Sequence, residues 1–188
     1  MASLIERHGE LELSRHPVDF HTMADIIVGQ QLSGKAADTI FRRVRAGLVP
    51  NEDRRLVPPD FEGQSVDQLR AFGLSRQKAS YILDLASKSE RGEIRYEDFP
   101  SLPDDEIIRE LTAVKGIGVW TVQMLLMFSL ERPDVFPPDD LGIRNGLVKS
   151  YGMETVPKRK EMVAFAERWA PYRSYASRYL WQSLDSAS

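Results

Sequence analysis

Between two helical stretches lies a four-residue turn, Lys115-Gly116-Ile117-Gly118, in which glycine alternates with another residue. Glycines at that spacing let the backbone turn through positive φ and let another group approach its amides closely. The stretch Leu111 to Asp140 therefore reads as a helix, a hairpin, a second helix and a loop ending in two adjacent aspartates. A helix that starts at Val119 would point its first-turn N–H groups into the turn, where they make an anion site. A phosphate-holding turn followed by a carboxylate suggests chemistry on a nucleic acid. On spacing alone, a tight helix–helix connection explains the same glycines equally well.

The remaining chain repeats the helical period. Phe20, Met23, Ile26 and Ile27 share one face, and after the polar stretch Gly29 to Gly34 so do Ala36, Ala37, Ile40, Phe41 and Val44, with Ser33 placed to cap. Residues 47–64 and 90–100 read as loops. Ser65-Val66-Asp67-Gln68 has the form of a capping box, and Ser75 caps a helix carrying Ala79, Ile82, Leu83 and Ala86. Pro103 with Asp104, Asp105 and Glu106 suits the positive end of a helix dipole. Helices are also predicted from Asp140 to about Ser150, after Pro157 with Met162, Phe165 and Trp169 inward, and from Tyr172 to Leu184. No stretch has convincing strand alternation, so the fold class is all-α.

Several functions are excluded by residue types that are missing. With no cysteine there is no disulfide framework, thiolate nucleophile or Cys-ligated iron–sulfur cluster. His8, His16 and His21 fall in no HExxH or nucleophile-elbow pattern and read as surface or helix-end residues. No apolar run approaches the roughly 20 residues of a membrane span, and the N-terminus lacks the order of a secretory signal. A cytoplasmic or nucleoid location, or a nuclear one in a eukaryote, is expected, with no membrane partner. The net charge of −3 argues mildly against nucleic acid, but from Arg144 onward eight Lys/Arg face four Asp/Glu, leaving −7 on residues 1–143. A basic C-terminal third can face phosphates on an acidic protein. Charge alone does not decide the partner.

Four blocks in order carry a family resemblance: IIVGQQLSGKAA at 26–37, LRAFGLSRQKASYILDLA at 69–86, the stretch from Leu111 through VFPPDD, and ERWAPYRSYASRYLW at 167–181. The chain resembles the helix-hairpin-helix (HhH-GPD) DNA glycosylase superfamily, and within it the 3-methyladenine DNA glycosylase II family in a short form. The resemblance implies two helical subdomains with a DNA- and base-binding cleft between them. Residues 22–135 would form the bundle with the hairpin, and residues 1–21 with 136–188 the second subdomain.

The resemblance also assigns roles. Asp140 would be the catalytic carboxylate, stabilising an oxocarbenium-like sugar and orienting or deprotonating water, at a helix start where the dipole favours negative charge. Asp139 would cap that helix. Trp120 and Trp181 would line the base pocket, holding a cationic alkylated purine by stacking and cation–π attraction, with Met124 and Leu141 at two further pocket positions. Lys115, Gly116, Ile117, Gly118 and Thr121 would hold the DNA backbone without reading sequence. A monovalent cation, Na⁺ or K⁺, is implied at that hairpin on backbone carbonyls, with no other cofactor required. Gln31 or Leu32 would be the wedge that fills the gap left by a flipped nucleotide, and both stay open. For Trp169 core packing is the better reading, since Phe165 and Met162 complete an inward stripe.

Two departures narrow the expectation. Bifunctional relatives carry at the Trp120 position a lysine that attacks the sugar, and an indole cannot do so. Hydrolysis without strand cleavage follows. The longer form of the family has an additional β-rich domain and tyrosines where this chain has Met124 and Leu141, so the pocket is less aromatic or is completed by Tyr172, Tyr175 or Tyr179. The expected function is a monomeric, monofunctional glycosylase acting on double-stranded DNA and removing alkylated purines, chiefly 3-methyladenine, with 7-methylguanine and ethenoadenine as further substrates. The competing reading is a non-catalytic damage-recognition module using the same hairpin, which would bind damaged duplex without releasing a base.

Overall fold

The structure is a computed structural model that describes residues 1–11, 16–49 and 54–185. Every regular element among them is helical: α1 (Ala2–His8), α2 (Phe20–Gly29), α3 (Gly34–Leu48), α4 (Val66–Ala71), α5 (Arg76–Glu90), α6 (Asp104–Thr112), α7 (Val119–Phe128), α8 (Leu141–Tyr151), α9 (Arg159–Ala166) and α10 (Arg173–Asp185). Single 3₁₀ turns sit at Pro58–Phe61 and Glu167–Trp169. The all-α expectation holds. No helix among the described residues is long and apolar enough to cross a membrane.

The chain divides into two compact units, one of His16–Val122 and one of Met1–Arg15 with Gln123–Ser188. In the first, α2 packs on α3 and α5, and α5 also carries α4 and the Pro58–Phe61 turn. Met23, Ile27, Leu69, Ile82, Leu85, Ile107 and Leu111 are fully buried there. Local capping sets the helix starts. Ser65 and Gln68 form the reciprocal box at α4, and Ser75 accepts from the Lys78 amide at α5. Ser33 occupies the N-cap position of α3 without a side-chain cap bond.

The stretch 47–64 departs from the surface loop expected of it. The helix α3 continues to Leu48, and Leu56 and Phe61 are buried. His21 explains why this segment docks: its Nδ1 accepts the Leu56 amide proton at 3.0 Å. Arg55 adds a bidentate pair to Asp19, at 2.6 and 2.7 Å. His21, in the first turn of α2, is thus a half-buried helix-end residue with a structural role. Residues 50–53 of that stretch lie outside the described residues.

In the second unit α8 and α10 pack closely, and α1 lies on α10. The core comprises Leu4, Ile143, Leu147, Met162, Ala166, Trp169, Ala176, Tyr179 and Leu180. Trp169 belongs to it, as its stripe with Met162 predicts. Gly146 permits the helix crossing, since a Cβ there would stand 2.3 Å from the Leu180 carbonyl oxygen. The short helix α1 had no sequence signal. Only Leu4 of it is buried, and packing on α10 supplies what propensity does not.

Candidate active site

Within the His16–Val122 unit, the turn at Lys115–Gly118 is held from below. Val114 and Ile117 are buried, while Lys115, Gly116 and Gly118 are exposed. Gly116 takes φ +79°, and a Cβ there would meet the Tyr81 ring at 2.1 Å. Glycine is required twice over, by backbone sign and by ring contact. Asp84 accepts the Lys115 amide proton at 2.9 Å. The first bond of α7 runs from the Val122 amide to the Gly118 carbonyl, at 3.2 Å. The exposed start of α7 thus lies at the turn, and the positive end of a helix dipole suits an anion.

A second sequence-marked stretch meets this turn. The Gln30 side-chain amide donates to the Gly116 carbonyl at 2.9 Å. The neighbouring residues Gln31 and Leu32 are exposed, and Gln31 adopts φ +58°, a conformation uncommon for a non-glycine residue. The wedge candidates and the hairpin are thus joined directly through Gln30. The sequence singled out that loop but gave no sign of the Gln30 bond.

Along α7, Trp120 is 46% exposed whereas Thr121 is buried. Met124 is half-buried on the same helix, in the other unit.

The carboxylate candidates belong to the Met1–Arg15 and Gln123–Ser188 unit. The loop leading to them is fixed on the start of α10. Arg173 holds Asp134 through 2.7 and 2.8 Å contacts, and Ser174 Oγ donates to the Arg132 carbonyl while accepting the Val135 amide proton. Hydrogen bonding to Arg173 lowers the Asp134 pKa, overcoming the opposing effect of its partial burial.

The helix cap expected of Asp139 belongs instead to Asp140. The Asp140 amide closes a turn onto the Pro137 carbonyl, and its extended φ/ψ makes residue 140 the N-cap of α8. Its Oδ1 accepts from the Ile143 amide at 2.7 Å. Asp139 is exposed and faces Arg159 at 3.2 Å.

The same Oδ1 accepts a second bond, 2.8 Å long, from the indole nitrogen of Trp181. Trp181 in turn stacks on Phe128, with centroids 5.8 Å apart and planes at 23°. Arg178 places its guanidinium 4.7 Å from the Phe128 centroid, and burial lowers its pKa. Gly142 makes room for this arrangement. A Cβ on it would lie 2.7 and 2.8 Å from Trp181 Cδ1 and Nε1, and 3.1 Å from Asp140 Oδ1. Asp140 is buried, and the next residue, Leu141, is 67% exposed. Phe128 and Gly142 had no distinctive sequence signal, because neither residue type at a helix end or start suggests chemistry.

Comparison with known proteins places this geometry. Residues 24–171 match the HhH-GPD superfamily of base excision DNA repair proteins. DNA-3-methyladenine glycosylase 1 of Schizosaccharomyces pombe is 37% identical over 158 residues, covering 84% of this chain and 68% of that protein. The chain spans 66% of a second relative, from Bacillus subtilis. A crystal structure of DNA-3-methyladenine glycosidase from Bacillus halodurans superposes with a TM-score of 0.88 at 34% identity, covering 98% of this chain and 84% of that one. The S. pombe 3-methyladenine DNA glycosylase Mag1, solved in complex with abasic DNA, gives 0.84 at 32% identity, covering 99% of this chain and 91% of that one. The chain belongs to the HhH-GPD superfamily of base excision DNA repair proteins, in the branch of its 3-methyladenine DNA glycosylases.

Proposed function

We propose that the protein is a monomeric, monofunctional DNA glycosylase that hydrolyses the N-glycosidic bond of alkylated purines in double-stranded DNA. The substrates would be 3-methyladenine foremost, with 7-methylguanine and ethenoadenine beside it. The observation that carries this reading is the double anchoring of Asp140 Oδ1 by the Ile143 amide and the Trp181 indole. Two donors on one oxygen fix the plane of the carboxylate before substrate arrives, as electrostatic preorganisation requires. In the step proposed, the bond from C1′ to the base nitrogen breaks and its electron pair leaves with the purine. A water oxygen then bonds to C1′, and the water proton passes to Asp140 or to solvent. 3-Methyladenine and 7-methylguanine leave readily because their positive charge is neutralised as the bond breaks.

The hairpin amides would hold a backbone phosphate near the lesion, and Trp120, Met124, Leu141 and Trp181 would be the residues that contact the flipped base. The absence of a lysine at residue 120 supports hydrolysis without lyase chemistry. Lys115, the first residue of the turn, lies five residues before that position. A monovalent cation at the hairpin would be held by backbone carbonyls. Those of Gly116 and Gly118 already accept from Gln30 and Val122, so each would offer its second lone pair.

Oligonucleotide duplexes bearing a stable 3-methyladenine analogue, ethenoadenine, hypoxanthine or uracil test the proposal, with base release compared before and after alkali. Release of the alkylated purines with strands intact until alkali is expected. Binding to damaged duplex without any release would make the protein a recognition module, and cleavage before alkali would make it a lyase.

A further inference from the structure

One face of α5 carries Lys78, Tyr81 and Asp84 at intervals of three residues, which places them one above the next. Each reaches a different part of the DNA-facing surface proposed above. The Lys78 ammonium lies 2.7 Å from the Val28 carbonyl and 2.5 Å from the Gln30 carbonyl. Tyr81 packs beneath Gly116, and Asp84 accepts the Lys115 amide proton. Lys88, one turn further on, pairs with Asp84 at 3.4 Å. The loop after α2 closes the circuit by donating from the Gln30 side chain to the Gly116 carbonyl.

Lys78 suits its place for a physical reason. The last carbonyls of a helix have no amide partner within it and carry partial negative charge. The helix α2 has no left-handed glycine at its C-cap to satisfy them, since Gln30 there takes φ −51° and ψ 127°. An ammonium with several donors supplies the missing partners, and it holds the backbone just before Gln31 swings to φ +58°. Partial burial lowers the Lys78 pKa, as loss of water around an ammonium does.

We infer that Lys78 is a positioning residue for nucleotide extrusion. By tying the end of α2 to the helix that also braces the hairpin, it sets the Gln31–Leu32 turn in register with the phosphate-holding amides, so anchoring of the strand and insertion of the wedge are coupled. This rests on the function proposed above only for the identity of the ligand, because the tie itself is a property of the free protein.

The test compares Lys78→Met, which keeps the length and removes the donors, with Lys78→Arg, which keeps a cationic donor. Amide hydrogen exchange on the DNA-free protein should rise about tenfold at both 29–33 and 114–118 in Lys78→Met, with partial recovery in Lys78→Arg. The ratio of affinities for abasic and undamaged duplex should fall about tenfold in the same variant. The fluorescence rise of 2-aminopurine placed opposite the abasic site should weaken with it. Gln30→Ala, which breaks only the bond to Gly116, should lower the ratio similarly and serves if Lys78→Met does not fold. Exchange that rises at one segment alone, or equal affinity loss on the two duplexes, would overturn the inference. Should the wild-type protein release no base while these responses appear, the glycosylase reading fails and the positioning role stands.

Discussion

Trp181 and Asp140, 41 residues apart in sequence, meet through a 2.8 Å bond from the indole nitrogen to Oδ1. The indole is therefore a donor to the proposed catalytic carboxylate as well as an aromatic surface. Gly142 leaves the space in which the two meet.

Trp181→Phe separates these roles, since phenylalanine keeps a ring against Phe128 and removes the donor. A hydrogen bond to a charged group contributes about 1.5–3 kcal/mol, and its loss from the transition state corresponds to roughly 10- to 100-fold in rate. Single-turnover base release should slow by that amount while affinity for abasic duplex changes little. Equal losses in rate and affinity would assign Trp181 to folding or duplex binding instead.

Gly142→Ala and Gly146→Ala should behave differently although both lie in α8. An added Cβ at Gly142 meets Trp181 and Asp140 side-chain atoms, whereas at Gly146 it meets the Leu180 backbone at 2.3 Å. Backbone overpacking costs about 1–3 kcal/mol, so Gly146→Ala should lower the urea midpoint. Gly142→Ala should instead slow base release about tenfold or more, with stability held within ~1 kcal/mol. The measurement is a denaturant melt beside a single-turnover assay on each variant.

These effects mark the limit of what the sequence can carry. The Ser65–Gln68 box and the Ser75 cap are legible because their partners lie three residues away. Asp140 was marked by its offset from Trp120, but which of two adjacent aspartates caps α8 depends on backbone angles set by the Pro137 turn. The Lys78 bonds span 50 and 48 residues, and that from Gln30 to Gly116 spans 86. No local pattern encodes such pairings. The 47–64 stretch misled because its proline and charge content hides Leu56 and Phe61, whose burial comes from packing rather than periodicity.

His21 makes stability depend on pH. Burial, then the nearby charges of Arg55 and Arg45, lower its pKa below the ordinary histidine value of 6.5. Its Nδ1 must stay unprotonated to accept from the Leu56 amide. The unfolded chain thus takes up the proton at higher pH than the folded one. The stability contributed is complete above about 6.5 and is lost as pH falls through the lower, folded value. Urea unfolding at pH 7 and pH 5 should show a larger drop for the wild type than for His21→Asn, which retains an acceptor and does not titrate. The same drop in both proteins would place the pH dependence elsewhere.

The most direct test of the central claim is single-turnover release of methylated purine from alkylated duplex DNA by the wild type and by Asp140→Asn. Asparagine can still accept from Ile143, so α8 should remain capped and thermal unfolding should be little changed. Base release should fall by about 10²- to 10⁴-fold, with abasic duplex still bound and wild-type product strands intact until alkali. Release at the wild-type rate by Asp140→Asn would contradict the account.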